Sequence, residues 1–141
     1  IPFGATGTII KPIVHMAASI GHKVPIWDSQ TNFGDTNLLI ANLDMGRDFA
    51  QFMGAHRSAL MRGHGSVVVG TNIRQAVHIS IYLEVGARLQ MEAMRMGNVT
   101  YLTDGEVDKI IDRTASYTIN RAWENWCRRA GREAQEEWIR G

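Results

Sequence analysis

Cysteine, net charge and long apolar runs are all scarce in this sequence, and each scarcity excludes something. Cys127 is the single cysteine. No disulfide can close within the chain and no cysteine-based zinc site can be built, so a reducing, cytoplasmic setting is expected. No stretch nears the roughly 20 apolar residues that cross a bilayer, and no membrane partner is expected. Basic and acidic residues number 15 and 14, leaving a formal charge of +1. That balance offers nucleic acid no electrostatic hold. The local excess at Arg128, Arg129 and Arg132 is answered by Glu133, Glu136 and Glu137. The opening Ile1-Pro2-Phe3-Gly4 has neither an initiator Met nor signal-peptide regions, and reads as the middle of a domain.

What is present suits a folded domain. The 141 residues are 45% hydrophobic and 21% charged, enough for one core and too few for two. Residues 1–141 are therefore read as a single, partial domain. Gly4 to Thr8 is expected to be a small-residue loop. A helix should follow, with Pro12 in its first turn, Ile13, Val14, Ala17 and Ile20 on one face, and Gly21 as its end. Lys23 to Trp27 reads as a short edge strand because Pro25 cannot donate a ladder hydrogen bond. Asp28 to Thr36 should be a surface loop. Asp44 looks like the cap of a helix through Phe49 and Met53, closed by Gly54.

Two strands are expected around Gly63-His64-Gly65: Ala59 to Arg62, and Ser66 to Gly70, whose β-branched run suggests burial. A long helix then spans Asn72 to Met96, with Ile73, Ala76, Val77, Leu83, Ala87, Met91 and Met94 on one face. Gly86 within it costs about 1 kcal/mol against alanine and marks a close approach. Thr103-Asp104-Gly105-Glu106 has capping-box spacing. A last helix is predicted from Tyr117 to Ile139, bearing Trp123, Trp126 and Trp138. Helices alternating with short strands make this an α/β chain.

Chemistry concentrates at one place. His64 stands between two glycines on a turn joining two apolar strands, where an imidazole can project from a rigid sheet to bind a metal or move a proton. A turn histidine without a task has the same local signature. The remaining histidines, His15, His22, His56 and His78, show no H-x-H or H-E-x-x-H spacing, and one histidine does not complete a metal site. His15 is either a core or a cleft-wall histidine. His22 is placed at a helix end, and His56 and His78 are read as structural or solvent-facing. No P-loop, dinucleotide fingerprint or nucleophile elbow is present.

The ordered combination of Pro12-Ile13-Val14-His15, Val24-Pro25-Ile26, Phe33-Gly34, Ala59 to Gly65, Val67 to Gly70 and Ile81-Tyr82-Leu83-Glu84 resembles the class II aldolase/adducin family. The resemblance runs from about Thr8 to Gly97 and weakly on to Trp126. It implies a three-layer α/β/α class II aldolase-like domain with a largely antiparallel central sheet, its N-terminal part missing here. It also implies a divalent metal ion (Zn, Mn or Fe) with His64 as the last ligand, the H-x-H pair lying upstream of the matched region. Sugar-phosphate aldolases of the family carry a catalytic tyrosine where this chain has Met16, and a thioether cannot protonate an enolate. Phe3 to Thr8, His15-Met16 and Met61 to Gly65 are more similar to the branch that decarboxylates hydroxylated aromatic or pyridine carboxylates.

The resemblance thus points to a metal-dependent lyase acting on a small molecule, with His64 as metal ligand and His15 as proton donor or substrate hydrogen-bonder. Arg62 would hold a substrate carboxylate, or be a surface strand residue. Tyr82 would line the pocket, or simply pack its helix. Homotetramers with active sites at subunit contacts are common in the family, so the three tryptophans would serve either assembly or the domain's own packing. A sugar-phosphate aldolase or epimerase, a non-haem iron oxygenase and a non-catalytic adducin-like module are the alternatives.

Overall fold

The computed structural model of the chain describes residues 2–113 and 117–130. Three strands form its sheet: β1 (Ile26–Trp27), β2 (Ser58–Met61) and β3 (Gly65–Val68), in the order β1-β2-β3. β1 runs parallel to β2, with Trp27 opposite Met61. β2 and β3 form an antiparallel hairpin, with Ser58 opposite Val68 and Met61 opposite Gly65. Ile10 and Val24 add an antiparallel bridge outside these strands.

The period-two alternation of a strand divides the core into two. From β2, Leu60 joins Phe3, Ile10, Ile20, Val24, Ile79 and Leu83 on one face. Its neighbours Ala59 and Met61 join Trp27, Met45, Phe49 and Met53 on the other. The first cluster lies under α4 (Ile73–Met96) and a 3-10 helix (His15–Ile20); the second lies under α3 (Leu43–Met53). Helices thus cover both faces, a three-layer α/β/α arrangement. β2 is buried at all four positions because it is central. β3, expected to be the buried strand, is instead an edge, with Val69 just beyond it 47% exposed. Its β-branched residues suit a pleated edge as well as a core.

Local chemistry explains most boundaries. Asn42 caps α3 by accepting from Met45 N at 2.9 Å, so the cap lies two residues before Asp44, which sits in the first turn. Asn72 caps α4 in the same way through Gln75 N. α5 (Asp104–Arg113) opens on the expected capping box: Thr103 N donates to Glu106 Oε2 at 2.8 Å and Glu106 N to Thr103 Oγ1 at 3.2 Å.

Other expectations are corrected. Residues at the start form α1 (Pro2–Thr6) rather than a loop, since Pro2 suits a first helical position and the buried Phe3 anchors the turn in the core. The next helix begins only at His15, because Ile10 is bridged to Val24 and Pro12 O accepts from Leu102 N, which hold the chain extended. The Asp28 loop contains one turn, α2 (Gln30–Phe33). On α4 the wholly covered stripe is His78, Ile79, Leu83, Gly86 and Gln90, whereas Ile73 and Met94, near the helix ends, are exposed. Gln90 is buried without penalty because its amide holds Lys11 N, Ile9 O and Tyr101 Oη. The last helix is described as α6 (Tyr117–Arg129); Trp138 and the rest of the expected span to Ile139 lie outside the described residues. No described helix is long and apolar enough to cross a membrane.

Candidate functional site

The β2–β3 hairpin makes the turn. His64 N donates to Met61 O at 3.1 Å and Gly63 adopts φ +68°, a conformation open to glycine. His64 is thereby lifted off the sheet and is exposed, and its ring makes no hydrogen bond among the described residues. The segment after β1 closes over the turn from one side. Leu38 is held at φ +65° with its N–H donating to Thr36 Oγ1, and its Cδ1 would lie 3.0 Å from a Cβ placed on Gly63. A left-handed leucine is strained, and it persists only where its surroundings fix it.

Arg62, next to His64, is anchored at both ends. Its backbone N–H donates to Trp27 O at 2.8 Å, and its Nε stands 2.7 Å from Asp28 Oδ2. That contact holds the guanidinium of Arg62 directly against the carboxylate. Arg62, and then the Gln30 N–H on Asp28 Oδ1, hold the Asp28 carboxyl below its ordinary value. Behind this pair, Trp27 Nε1 donates to Asp48 Oδ2 and Asn32 Nδ2 to Asp48 Oδ1, each at 2.7 Å. The Nε edge of Arg62 is thus held against Asp28. Sequence reasoning missed Asp28, whose only hint is that it follows Trp27 in a parallel register discoverable in three dimensions.

His15 lies elsewhere. It lines a cavity of about 290 Å³ with Met16, Ser19, Arg57 and His78. Arg57 precedes β2, whereas His64 follows its other end. Four strand residues at about 3.3 Å each set the two ends roughly 10 Å apart before the flanking residues are added. Within one chain the structure keeps His64 and Arg62 together and His15 apart from them. Tyr82 is not at the turn; its ring packs 4.7 Å from His78 and 6.5 Å from Trp126, the helix-packing role. His22 lies just past the Gly21 end of the 3-10 helix, as expected, and its ring pairs with Asp108 of α5 at 2.7 Å.

The donor set tests whether a resident metal fits. No group of three or more His, Cys, Asp or Glu converges among the described residues. His64 has the accessibility and the unengaged ring of a ligand, but it is one donor where such sites need three or more. The chain fits an ion to the extent of one ligand.

This arrangement, a glycine-flanked histidine on a hairpin inside an α/β/α sandwich, lies within a stretch that matches a known family. Residues 3–91 match the Class II Aldolase and Adducin N-terminal domain, a span that holds His15, Arg62, His64 and Tyr82. The chain belongs to the class II aldolase and adducin family. Among its family relatives is "Decarboxylase tropJ" of Talaromyces stipitatus, 30% identical over 149 residues that cover 91% of this chain. The chain spans 56% of that relative's length. In three dimensions it is similar to an L-fuculose 1-phosphate aldolase, with a TM-score of 0.59 at 18% identity over 79% of this chain and 49% of that one. This last likeness concerns the fold. α5 and α6 lie beyond the matched family span.

Proposed function

We propose that this chain is part of a metal-dependent carbon–carbon lyase that decarboxylates a hydroxylated aromatic or heteroaromatic carboxylate, with His64 as one metal ligand. The observation that carries the reading is the exposed, unengaged imidazole of His64 on a glycine-flanked turn braced by the Arg62–Asp28 pair. The similarity to a decarboxylase supports the reaction type, and Met16 at the place of the aldolase tyrosine weighs against aldol cleavage. A bound divalent ion (Zn, Mn or Fe) would supply positive charge beside a substrate oxygen, favouring the negative charge that develops as the carbon–carbon bond breaks. The other ligands must come from residues other than those described here.

The chain's own residues have definable parts. Asp28 fixes the Nε edge of Arg62, leaving the terminal nitrogens to receive a substrate carboxylate. In the reaction the bond to that carboxylate breaks, CO₂ leaves, and the electron pair remaining on the ring carbon takes a proton. His15 would donate it. Because His15 and His64 stand at opposite ends of β2, we assign that His15 to a neighbouring copy in a homo-oligomer, a tetramer by the resemblance. Tyr82 contributes through packing of α4.

Two measurements test this. The intact protein should hold metal that His64→Ala loses; equal metal in both removes His64 as a ligand. Anaerobic incubation with hydroxyaryl carboxylates should release CO₂. Release only in oxygen would favour an oxygenase, and a metal-free, inactive protein would favour a binding module.

A further inference from the structure

A guanidinium held partly out of water costs free energy unless an anion meets it. Arg57 is such a group. It is half-buried just before β2, and its carbonyl accepts from Val69 N at 2.9 Å, which fixes the root of the side chain. Its Nη1 donates to Ser19 O at 3.4 Å, a long bond to a neutral acceptor. Nε and Nη2 make no hydrogen bond or ion pair among the described residues, and neither is sealed off from solvent. These two nitrogens present parallel N–H bonds, the edge on which a carboxylate sits with both oxygens.

Arg57 lines the cavity of about 290 Å³ that also holds His15. Ser19 and His78 border it too, but Ser19 Oγ and both His78 ring nitrogens are buried. The ionisable groups that a ligand meets are therefore Arg57, His15 and the exposed Asp112. Ile110, Ile111 and Ile119 supply apolar wall. The volume sits at the lower edge of small-molecule sites, roughly 300–1,000 Å³, which fits one ring. A more open hollow shares His15, Ile110 and Asp112 and adds Lys109 and Arg113. Against Arg57, Lys109 and Arg113 stands one carboxylate, Asp112, and none of the four is ion-paired among the described residues. The excess of positive charge favours an anionic ligand, and the isoleucines favour an apolar body.

We infer that Arg57 is a specificity-determining residue, its Nε–Nη2 edge holding a carboxylate of the substrate while the ring lies along the isoleucines beside His15. The inference rests on the reaction proposed above and narrows its substrate. Arg57 comes with His15 from one copy, whereas Arg62 comes with His64 from the other. A substrate between them meets two guanidiniums, so the preferred class is a hydroxyaryl acid bearing a second carboxylate. The carboxylate on Arg57 stays on the product, and the one beside Arg62 leaves as CO₂.

Two measurements on the intact protein test this, one of which needs no reaction. Calorimetry is run in Arg62→Gln protein, which removes the other guanidinium. Benzoate should bind there at least tenfold more tightly than benzamide, which keeps the ring and loses the charge. Adding Arg57→Gln should abolish that preference, and Arg57→Lys should retain part of it. In kinetics on the wild type, hydroxybenzene dicarboxylates should show KM at least tenfold below the matching monocarboxylates. Arg57→Gln should raise KM for the diacids at least tenfold with a much smaller fall in kcat. If Arg57→Gln does not fold, Arg57→Lys and the benzoate–benzamide comparison decide. The proposal is overturned if benzoate binds no more tightly than benzamide, or if the preference survives Arg57→Gln. CO₂ release with equal KM for one-acid and two-acid substrates overturns the role of Arg57 and leaves the reaction standing. Charge-selective binding through Arg57 without CO₂ release from any hydroxyaryl acid upholds the acid site and overturns the reaction.

Discussion

His78 and Asp28 show how position gives ordinary side chains unusual chemistry. His78 has its pKa lowered from 6.5 by burial, so the folded protein resists protonating it. The contribution of this group to stability is therefore fully present above about pH 6.5 and is lost as the pH falls from there toward the lower folded value. Thermal melts at pH 7.5 and 5.5 should show a larger drop for the wild type than for His78→Leu. Equal drops would assign the acid sensitivity to other groups. Asp28 shifts in the same sense for a different reason, the hydrogen-bonding guanidinium of Arg62 and then the Gln30 N–H held against its carboxylate. Asp28→Asn should keep metal content unchanged while raising KM for a carboxylate substrate more than it lowers kcat, since only the aim of Arg62 is disturbed. A matched loss of metal would mean that the pair supports the His64 turn as a whole.

At the scale of elements, the contact of α4 with the 3-10 helix governs the packing of one face. A Cβ on Gly86 would lie 3.1 Å from Ala17 Cβ, and both residues are buried. Helix propensity favours replacing this glycine, by about 1 kcal/mol for alanine. Tertiary packing opposes it. Gly86→Val should destabilise by about 1–3 kcal/mol, the usual cost of overpacking, in denaturant melts. Combining Gly86→Ala with Ala17→Gly should restore the lost room, and a double variant no more stable than Gly86→Ala alone would place the strain elsewhere. Gly86 announced this contact in the sequence, because a mid-helix glycine is unfavourable unless something comes near. The partner residue was not announced.

For the molecule as a whole, the decisive fact is the separation of the two histidines along β2. If His15 of one copy serves the His64 turn of another, then mixing His15→Gln with His64→Ala protein, each inactive alone, should restore part of the activity. Recovery follows because some sites in a mixed assembly pair an intact His15 with an intact His64. No recovery on subunit exchange, with exchange itself verified by size and labelling, would restrict the site to one chain and remove His15 from it.

Sequence by itself determined what is local: the hairpin around Gly63-His64-Gly65, the long helix and its Gly97 end, the Thr103–Glu106 capping box and the need for close packing at Gly86. These depend on dihedral preferences and on residues within a few positions of one another, which adjacency in the chain already specifies. Tertiary structure alone decided that β2 rather than β3 is central, that Asp28 meets Arg62, that His78 is enclosed and unpaired, and that His15 lies away from His64. Each of those depends on segments far apart in sequence being pressed together. Their contacts follow from the strand register and from which helix faces share a core, and neither leaves a mark in composition or periodicity.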